Sequence, residues 1–206
     1  LKEKYAIAEK DSVINYSFYF GATNSNSDEF AKLNTKKVCG IKLFMGSSTG
    51  NMLVDKKNEL EKIFKEAERL NMPVAVHCED SAIISANTKV IKEQEGDDPD
   101  VKFHPVIRSE EACYQSTASA VELAKRFGTR LNVMHISTAK ELELLTAGKT
   151  ANKRITAEVT PAHLTFCDAD YATLGTKIKC NPAIKSSNDR EALRKAISEG
   201  KIDLIG

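Results

Sequence analysis

Short apolar runs alternate with amphipathic segments along the whole chain. The apolar runs are rich in β-branched and aromatic residues and predict six strands, at residues 14–22, 38–46, 73–80, 130–137, 154–160 and 201–206. The segments between them predict helices at residues 54–71, from 81 onward, and at 109–128, 138–148 and 187–200. In the first of these helices Leu60, Ile63, Phe64 and Ala67 share one face, which is the spacing of a helix that packs on a core.

This alternation of strand and helix is typical of a parallel α/β fold, which we expect to form a single domain over residues 1–206. Two such folds compete at this point, an open doubly wound sheet and a closed (β/α)8 barrel. No G-x-G-x-x-G follows a predicted strand, so the usual dinucleotide-binding mark of the open sheet is missing. The residues suited to chemistry lie near the C-terminal ends of strands, where barrels and open sheets both keep their active sites.

The composition is that of an ordinary globular protein and argues against several function classes. Hydrophobic residues make up 41% of the 206 residues and charged residues 29%, and the formal net charge is +1. This balance gives no electrostatic case for nucleic acid or an acidic membrane surface as a partner. No apolar run approaches the ~20 residues that span a bilayer.

The five cysteines are spread widely and form no C-x-x-C pair. An odd number of scattered cysteines argues against a disulfide framework and against a thiolate zinc cluster. We therefore expect reduced cysteines packed in a cytoplasmic protein.

Two of the four histidines fall at the ends of predicted strands. His77 lies in P-V-A-V-H-C-E-D and His135 in L-N-V-M-H-I-S, and each precedes the loop to the next helix. A single histidine at such a place is more often an ordinary core or surface residue. Two at equivalent positions of separate strand–helix units favour a metal site, because imidazole is the commonest metal ligand in proteins.

Lys42 is unusual because it interrupts an apolar run, G-I-K-L-F-M, and lysine is rarely buried without a partner. Its ammonium group has no lone pair and cannot bind a metal as it stands. Three roles of the Lys42 side chain are compatible with the sequence. It can extend its head group to the rim of the fold, act as a base or Schiff-base nucleophile with a lowered pKa, or react with carbon dioxide to form a carbamate ligand.

A series of motifs, taken in chain order, resembles dihydroorotase, a member of the metal-dependent amidohydrolase superfamily. The motifs are G-I-K-L-F-M-G-S-S-T-G, V-A-V-H-C-E-D, V-M-H-I-S-T, A-E-V-T-P-A-H-L-T-F, I-K-C-N-P-A-I-K-S-S-N-D-R-E-A-L and K-I-D-L-I-G. The resemblance implies an incomplete (β/α)8 TIM barrel, with the six predicted strands as about strands 3 to 8. It also implies reversible hydrolysis of dihydroorotate to N-carbamoyl-aspartate by a metal-activated hydroxide, in pyrimidine biosynthesis.

The resemblance assigns roles to four residues. Lys42, in carboxylated form, matches the metal-bridging position on strand 4, and His77 and His135 match the metal ligands on strands 5 and 6. Two zinc ions are expected in the intact enzyme. Asn181, in K-C-N-P-A-I-K, matches the asparagine of the family's N-P-P-L-R, which contacts the substrate ring. Many otherwise similar bacterial dihydroorotases carry aspartate at the position of Lys42, so this lysine departs from their pattern.

Two expected parts of the family pattern are absent from the sequence. No H-x-H occurs, and the catalytic acid/base aspartate of the family's T-D-H is expected just after Gly206. We therefore expect this chain to be an internal fragment that contains no catalytic residue of its own, and to be inactive in isolation.

Four further residues are interpreted more conservatively. His163, in T-P-A-H-L, is expected to support the site rather than to bind the metal directly, and His104 to be a local turn or packing residue. Glu79 and Asp80 are expected to cap the following helix, with a hydrogen bond that orients a ligand as the alternative. G-S-S-T-G-N after Lys42 lacks the ending of a phosphate-binding loop and is interpreted as a flexible loop at the barrel mouth.

Two other functions remain open. The first is another cyclic amidohydrolase, a hydantoinase or allantoinase, which the context of Lys42 favours. The second is a non-catalytic barrel that serves as a scaffold, for which the four site residues would have no use. The expected partners are a small-molecule substrate and, as one option, a second copy of the chain in a homodimer, with neither nucleic acid nor membrane.

Overall fold

The computed structural model describes residues 1–46 and 51–206. All neighbouring strands in these ranges are parallel, and their order in space is their order in the chain. The strands are β1 (Tyr19–Gly21), β2 (Gly40–Phe44), β3 (Val74–His77), β4 (Leu131–Val133), β5 (Ile155–Val159) and β6 (Leu204–Ile205).

Helices connect the strands and pack on the outside of the sheet. The α-helices are α1 (Lys2–Asp11), α2 (Lys57–Arg69), α3 (Ser81–Glu95), α4 (His104–Ile107), α5 (Glu110–Phe127), α6 (Pro161–Thr165), α7 (Tyr171–Leu174) and α8 (Ser187–Ser198). Short 3₁₀ helices occupy Ser27–Lys32, Val101–Phe103, Lys140–Leu144, Thr150–Asn152, Asp168–Asp170 and Gly175–Ile178. In the described ranges, no helix combines the length and the apolar character needed to cross a membrane.

The strand order decides between the two folds that the sequence left open. A doubly wound sheet reverses its order at a switch point, because its later strands are added on the other side of the first one. Here each strand pairs with its successor from β1 through β6, without a reversal. The fold is therefore a partial parallel β/α barrel, as the resemblance implied.

The core lies between the sheet and the helices. Ile41 and Leu43 of β2 are fully buried, as are Ile63, Phe64 and Ala67 of α2. These residues belong to one hydrophobic cluster that includes residues from β2 to β5, so the helix face predicted from the sequence is the face that packs. The strand residues between the core positions face the other side of the sheet, which is the interior of the barrel.

Removing one large side chain from this core tests the packing directly. We expect Phe64→Ala to lower the free energy of unfolding by about 3–5 kcal/mol, because the lost burial is accompanied by a cavity. Lys65→Ala, one position along on the exposed face of the same helix, is the matched control and should change it by no more than about 0.5 kcal/mol. Urea denaturation followed by circular dichroism measures both, and equal effects would show that α2 does not pack as described.

Helices α3 and α5 begin at the capping residues that the sequence predicts. Ser109 accepts a hydrogen bond from the amide of Ala112 at the start of α5, and Gly128 ends that helix in the left-handed conformation, with φ of 73°. Asp80 accepts from the amides of Ala82 and Ile83 at the start of α3, which confirms its predicted capping role.

Other predicted elements are shorter than expected or different in kind. The strand predicted at 14–22 contains only Tyr19–Gly21, and the one predicted at 201–206 contains only Leu204–Ile205. The helix predicted at 138–148 is a 3₁₀ helix, Lys140–Leu144, in which the buried carboxylate of Glu141 accepts hydrogen bonds from Ser137 and Thr138 just before it. Helix α1 was not predicted, and it buries none of its residues.

Candidate active site

Lys42 faces the interior of the barrel. It lies between the fully buried Ile41 and Leu43, whose side chains point to the helices, so its own side chain points the other way. The strand register aligns it with Ala75 on β3, and places Phe44 beside His77 at the C-terminal end of the same two strands. The position that looked anomalous in the sequence is thus an interior position near the mouth of the barrel.

The ammonium group of Lys42 lies among apolar and weakly polar atoms. Its Nζ is 3.2 Å from Sδ of Met134 and 4.5 Å from the centre of the Phe44 ring. No carboxylate forms an ion pair with it in the part of the chain that the structure describes. Burial lowers the pKa of Lys42 to about 8, against smaller opposing effects from Cys78 and Glu158. A larger fraction of neutral amine is therefore available near neutral pH than on a surface lysine.

His77 and His135 meet directly at this end of the barrel. His77 is the last residue of β3 and is 5% exposed, and His135 follows β4 by two residues. Nδ1 of His77 is 3.1 Å from Nε2 of His135, and the two rings meet nearly edge-on with centres 4.7 Å apart. The His77 ring also lies 5.7 Å from the Phe44 ring, which connects the pair to the surroundings of Lys42.

Glu79 fixes the protonation of His77. Its Oε2 is 2.7 Å from Nε2 of His77, and the same oxygen accepts a hydrogen bond from Arg108. Glu79 is fully buried, which would raise its pKa, but the hydrogen bond from His77 and the charge of Arg108 lower it overall. An ionised carboxylate only accepts, so Nε2 of His77 carries the proton and Nδ1 is left with its lone pair directed at His135.

The backbone of His135 is held in a conformation that few residues other than glycine adopt. Its φ is 43°, in the left-handed region, and such strained positions are frequent at functional sites. Burial, with the charges of His77 and Lys42, lowers the pKa of His135 to about 3, so the ring is neutral near neutral pH. Its Nδ1 is buried without a hydrogen-bond partner among the described residues.

The two imidazoles suit a shared metal ion. Zinc binds histidine nitrogen at ~2.0–2.1 Å, so two nitrogens of a tetrahedral site lie about 3.3–3.4 Å apart, close to the separation of His77 Nδ1 and His135 Nε2. Glu79 provides the carboxylate that usually orients a metal-bound histidine. Within residues 1–46 and 51–206, no three His, Cys, Asp or Glu side chains are grouped so as to hold a metal ion.

Asn181 lies in a different part of the site, on the loop after the short helix Gly175–Ile178. Its Oδ1 is 3.1 Å from Nε2 of His104, which is also 2.9 Å from the carbonyl oxygen of Cys180. His163 is buried, with Nδ1 2.8 Å from Oγ1 of Thr160 and Nε2 3.0 Å from the carbonyl oxygen of Pro182. Both ring nitrogens of His163 are thus engaged, which agrees with its predicted supporting role.

Sequence reasoning missed two contacts in this region. His104, predicted to be a local turn or packing residue, makes its side-chain hydrogen bonds to partners 76 and 77 positions away in the chain. Arg108, which no sequence pattern singles out, is the basic partner of the buried Glu79. Glu79 itself makes the alternative contact considered for it, a hydrogen bond that orients a candidate ligand, while Asp80 alone caps α3.

The loop predicted at the barrel mouth lies mostly outside the described residues, since positions 47–50 of G-S-S-T-G are not described. The residue just before them, Gly46, must be glycine for a steric reason. A Cβ at this position would be 1.4 Å from the carbonyl oxygen of Glu79, so only glycine lets the end of β2 approach the chain after His77.

Comparison with known proteins places the chain among relatives in sequence and in fold. No family model matches the chain. It is 33% identical over 181 residues to a dihydroorotase from Halalkalibacterium halodurans, and 28% identical over 187 residues to one from Methanosphaera stadtmanae. These matches cover 86% and 91% of this chain but only 39% and 41% of the relatives, so the chain spans about 40% of the length of these curated relatives.

The solved structures extend the likeness to three dimensions. An L-hydantoinase (dihydropyrimidinase) from Arthrobacter aurescens matches 100% of this chain and 45% of its own with a TM-score of 0.89 and 26% identity. The order of the strands and the relatives in sequence agree on the fold and the family. The chain is dihydroorotase-like and forms part of the amidohydrolase barrel.

Proposed function

We propose that the natural polypeptide containing residues 1–206 is a metal-dependent cyclic amidohydrolase, and specifically a dihydroorotase. It would hydrolyse dihydroorotate reversibly to N-carbamoyl-aspartate, with water adding across the ring amide so that the carbon–nitrogen bond breaks. The observation that carries the proposal is the 3.1 Å approach of His77 Nδ1 to His135 Nε2, at the same end of the barrel interior as Lys42. A scaffold has no use for this arrangement of groups.

In this proposal three residues hold metal, with zinc as the expected ion and two ions per site. His77 uses Nδ1 and His135 uses Nε2, the two atoms that face each other. The neutral amine of Lys42 reacts with carbon dioxide, forms a nitrogen–carbon bond and releases a proton, which leaves a carboxylate ligand at the end of the side chain. A bound divalent metal supplies Lewis acidity, which polarises a carbonyl group and brings the pKa of water towards ~7.

The remaining residues of the site position these groups. Glu79 accepts a hydrogen bond from Nε2–H of His77, which leaves the lone pair on Nδ1 and prevents the ring from rotating. Arg108 neutralises Glu79, so the buried carboxylate does not remain as an uncompensated charge. Asn181 is the proposed contact for the substrate ring, and His163 supports the loop that carries it.

The runner-up is a hydantoinase, which the structural match to an L-hydantoinase at 26% identity favours. Hydantoin and dihydroorotate both contain a cyclic amide, so the ligands and the water chemistry serve either substrate. The sequence matches at 28% and 33% identity to dihydroorotases favour dihydroorotate.

A substrate panel on the natural polypeptide separates the two. We expect turnover of dihydroorotate to exceed that of hydantoin, and Lys42→Arg to abolish it, because arginine keeps the positive charge and cannot form the carbamate ligand. Turnover of hydantoin without turnover of dihydroorotate would overturn the choice of substrate. A polypeptide that contains no metal and acts on neither substrate would favour the scaffold.

A further inference from the structure

We infer that His104 is a positioning residue that sets the hydrogen-bonding specificity of Asn181. Its imidazole holds the Asn181 amide with the oxygen inward, so that the amino group is presented to a carbonyl or carboxylate oxygen of the ligand. This inference rests on the proposed function for the identity of the ligand, but the orientation of the amide rests on the contacts of His104 alone.

The orientation follows from the chemistry of one nitrogen. Nε2 of His104 lies 2.9 Å from the carbonyl oxygen of Cys180, and a carbonyl oxygen only accepts hydrogen bonds. Nε2 therefore carries a proton. The Asn181 atom 3.1 Å from the same nitrogen must then be an acceptor as well, which makes it Oδ1. With the amide reversed, two N–H groups would face each other.

The loop is held at a second point, on the other side of Asn181. Nε2 of His163 lies 3.0 Å from the carbonyl oxygen of Pro182, and Sγ of Cys180 lies 3.3 Å from the same oxygen. His163 is 4% exposed, so this anchor is internal. His104 and His163 thus fix the main chain on both sides of Asn181, and the remaining freedom is the rotation of its side chain, which His104 removes.

The free end of the Asn181 side chain is a hydrogen-bond donor. Its Nδ2 has no partner in the described part of the chain, and the residue is exposed. A ring carbonyl or a carboxylate can accept from this amino group, whereas a ring N–H cannot. The site should therefore prefer a ligand that presents an oxygen at this position.

Two variants test whether His104 orients the Asn181 amide or only packs against it. In His104→Phe the ring volume remains and the donor is lost, so the Asn181 amide is free to turn, and we expect KM for dihydroorotate to rise about 2- to 10-fold with kcat within about 2-fold. In His104→Gln a side-chain amide can donate to the same oxygens and should restore most of the affinity. Lys102→Ala, exposed nearby, is the control and should match the native KM.

Asn181→Asp tests the donor itself. Aspartate keeps an oxygen for His104 but replaces the amino group with a second oxygen, so we expect dihydroorotate to bind at least about 10-fold more weakly while the melting temperature changes little. Equal KM values for native protein and for both His104→Phe and Asn181→Asp would overturn the inference.

A measurement on the ligand-free protein tests the orientation of Asn181 independently of the proposed function. In ¹⁵N NMR spectra of the ligand-free protein we expect a single ordered side-chain amide for Asn181, which becomes averaged in His104→Phe and is recovered in His104→Gln. An unchanged amide signal in His104→Phe overturns the inference whatever the protein catalyses. The expected change in that signal, in a protein that does not bind dihydroorotate, supports the orientation by His104 and refutes the proposed function instead.

Discussion

Replacement of His135 by alanine is expected to lower the affinity for divalent metal at least about 100-fold and to abolish amide hydrolysis. Loss of an outer partner of a metal ligand alone typically costs 10- to 100-fold, and His135 is proposed as a direct ligand. Of the three ligands proposed in this chain, only His77 and the carboxylated Lys42 would remain. Zinc content after dialysis, and calorimetric titration with zinc, measure the effect on the natural polypeptide.

The matched control is another buried histidine of the same region. His163→Asn removes an imidazole whose two nitrogens are both used in hydrogen bonds to Thr160 and Pro182, so its zinc content should equal that of the native protein. Circular dichroism checks that both variants are folded. Native-like zinc binding by His135→Ala would refute the metal site, and loss of zinc from His163→Asn would point to a different ligand set.

Replacement of Arg108 by methionine is expected to lower the free energy of unfolding by about 3–5 kcal/mol at neutral pH. Methionine keeps much of the side-chain volume but leaves the fully buried Glu79 carboxylate without its cationic partner. Arg126→Met in α5 is the control, because its ion pair with Glu61 lies at the surface and such pairs contribute about 0–1 kcal/mol. Urea denaturation measures both variants.

The ionisation of Glu79 also predicts how the free energy of unfolding changes with pH. The pKa of Glu79 is lower in the folded protein than its ordinary value, so its ionisation stabilises the fold above that value and the stabilisation is lost as the pH falls through the lower, folded pKa. The native protein should therefore lose stability in the acid range below about pH 4.3, and Arg108→Met should lose less over the same interval. The double variant Glu79→Gln, Arg108→Met should be more stable than Arg108→Met alone at neutral pH. Equal stability of native protein and Arg108→Met would show that Glu79 does not depend on this partner.

The parts of this fold that could be predicted from sequence are those with local causes. The apolar face of α2 and the caps Asp80 and Ser109 follow from residues within a few positions of each other, and the structure confirms them. The placement of Lys42 within β2 and of His77 at the end of β3 follows from the same kind of pattern, because the strand period of two decides which side chains share a face.

The parts that could not be predicted depend on contacts between distant residues. His104 finds its acceptors 76 and 77 positions away, and Arg108 reaches Glu79 across 29 positions, so neither partner is visible in a local pattern. The 3₁₀ helix at Lys140–Leu144 was predicted as an α-helix because its apolar spacing is helical. Its buried Glu141 carboxylate accepts hydrogen bonds from Thr138 and from Thr117 of the neighbouring helix α5, a tertiary contact that the local pattern does not show.

The strand order also has a consequence for how the chain reaches this structure. From β1 to β6, each strand pairs with the next strand of the chain. Each new pairing therefore closes only the segment between two consecutive strands, and not a loop that spans the molecule. The entropy lost on closing a loop grows with its length, and sequential pairing keeps that loss small at each step. As the polypeptide emerges during synthesis, the sheet can therefore be extended one strand at a time, because each new strand finds the preceding strand already made.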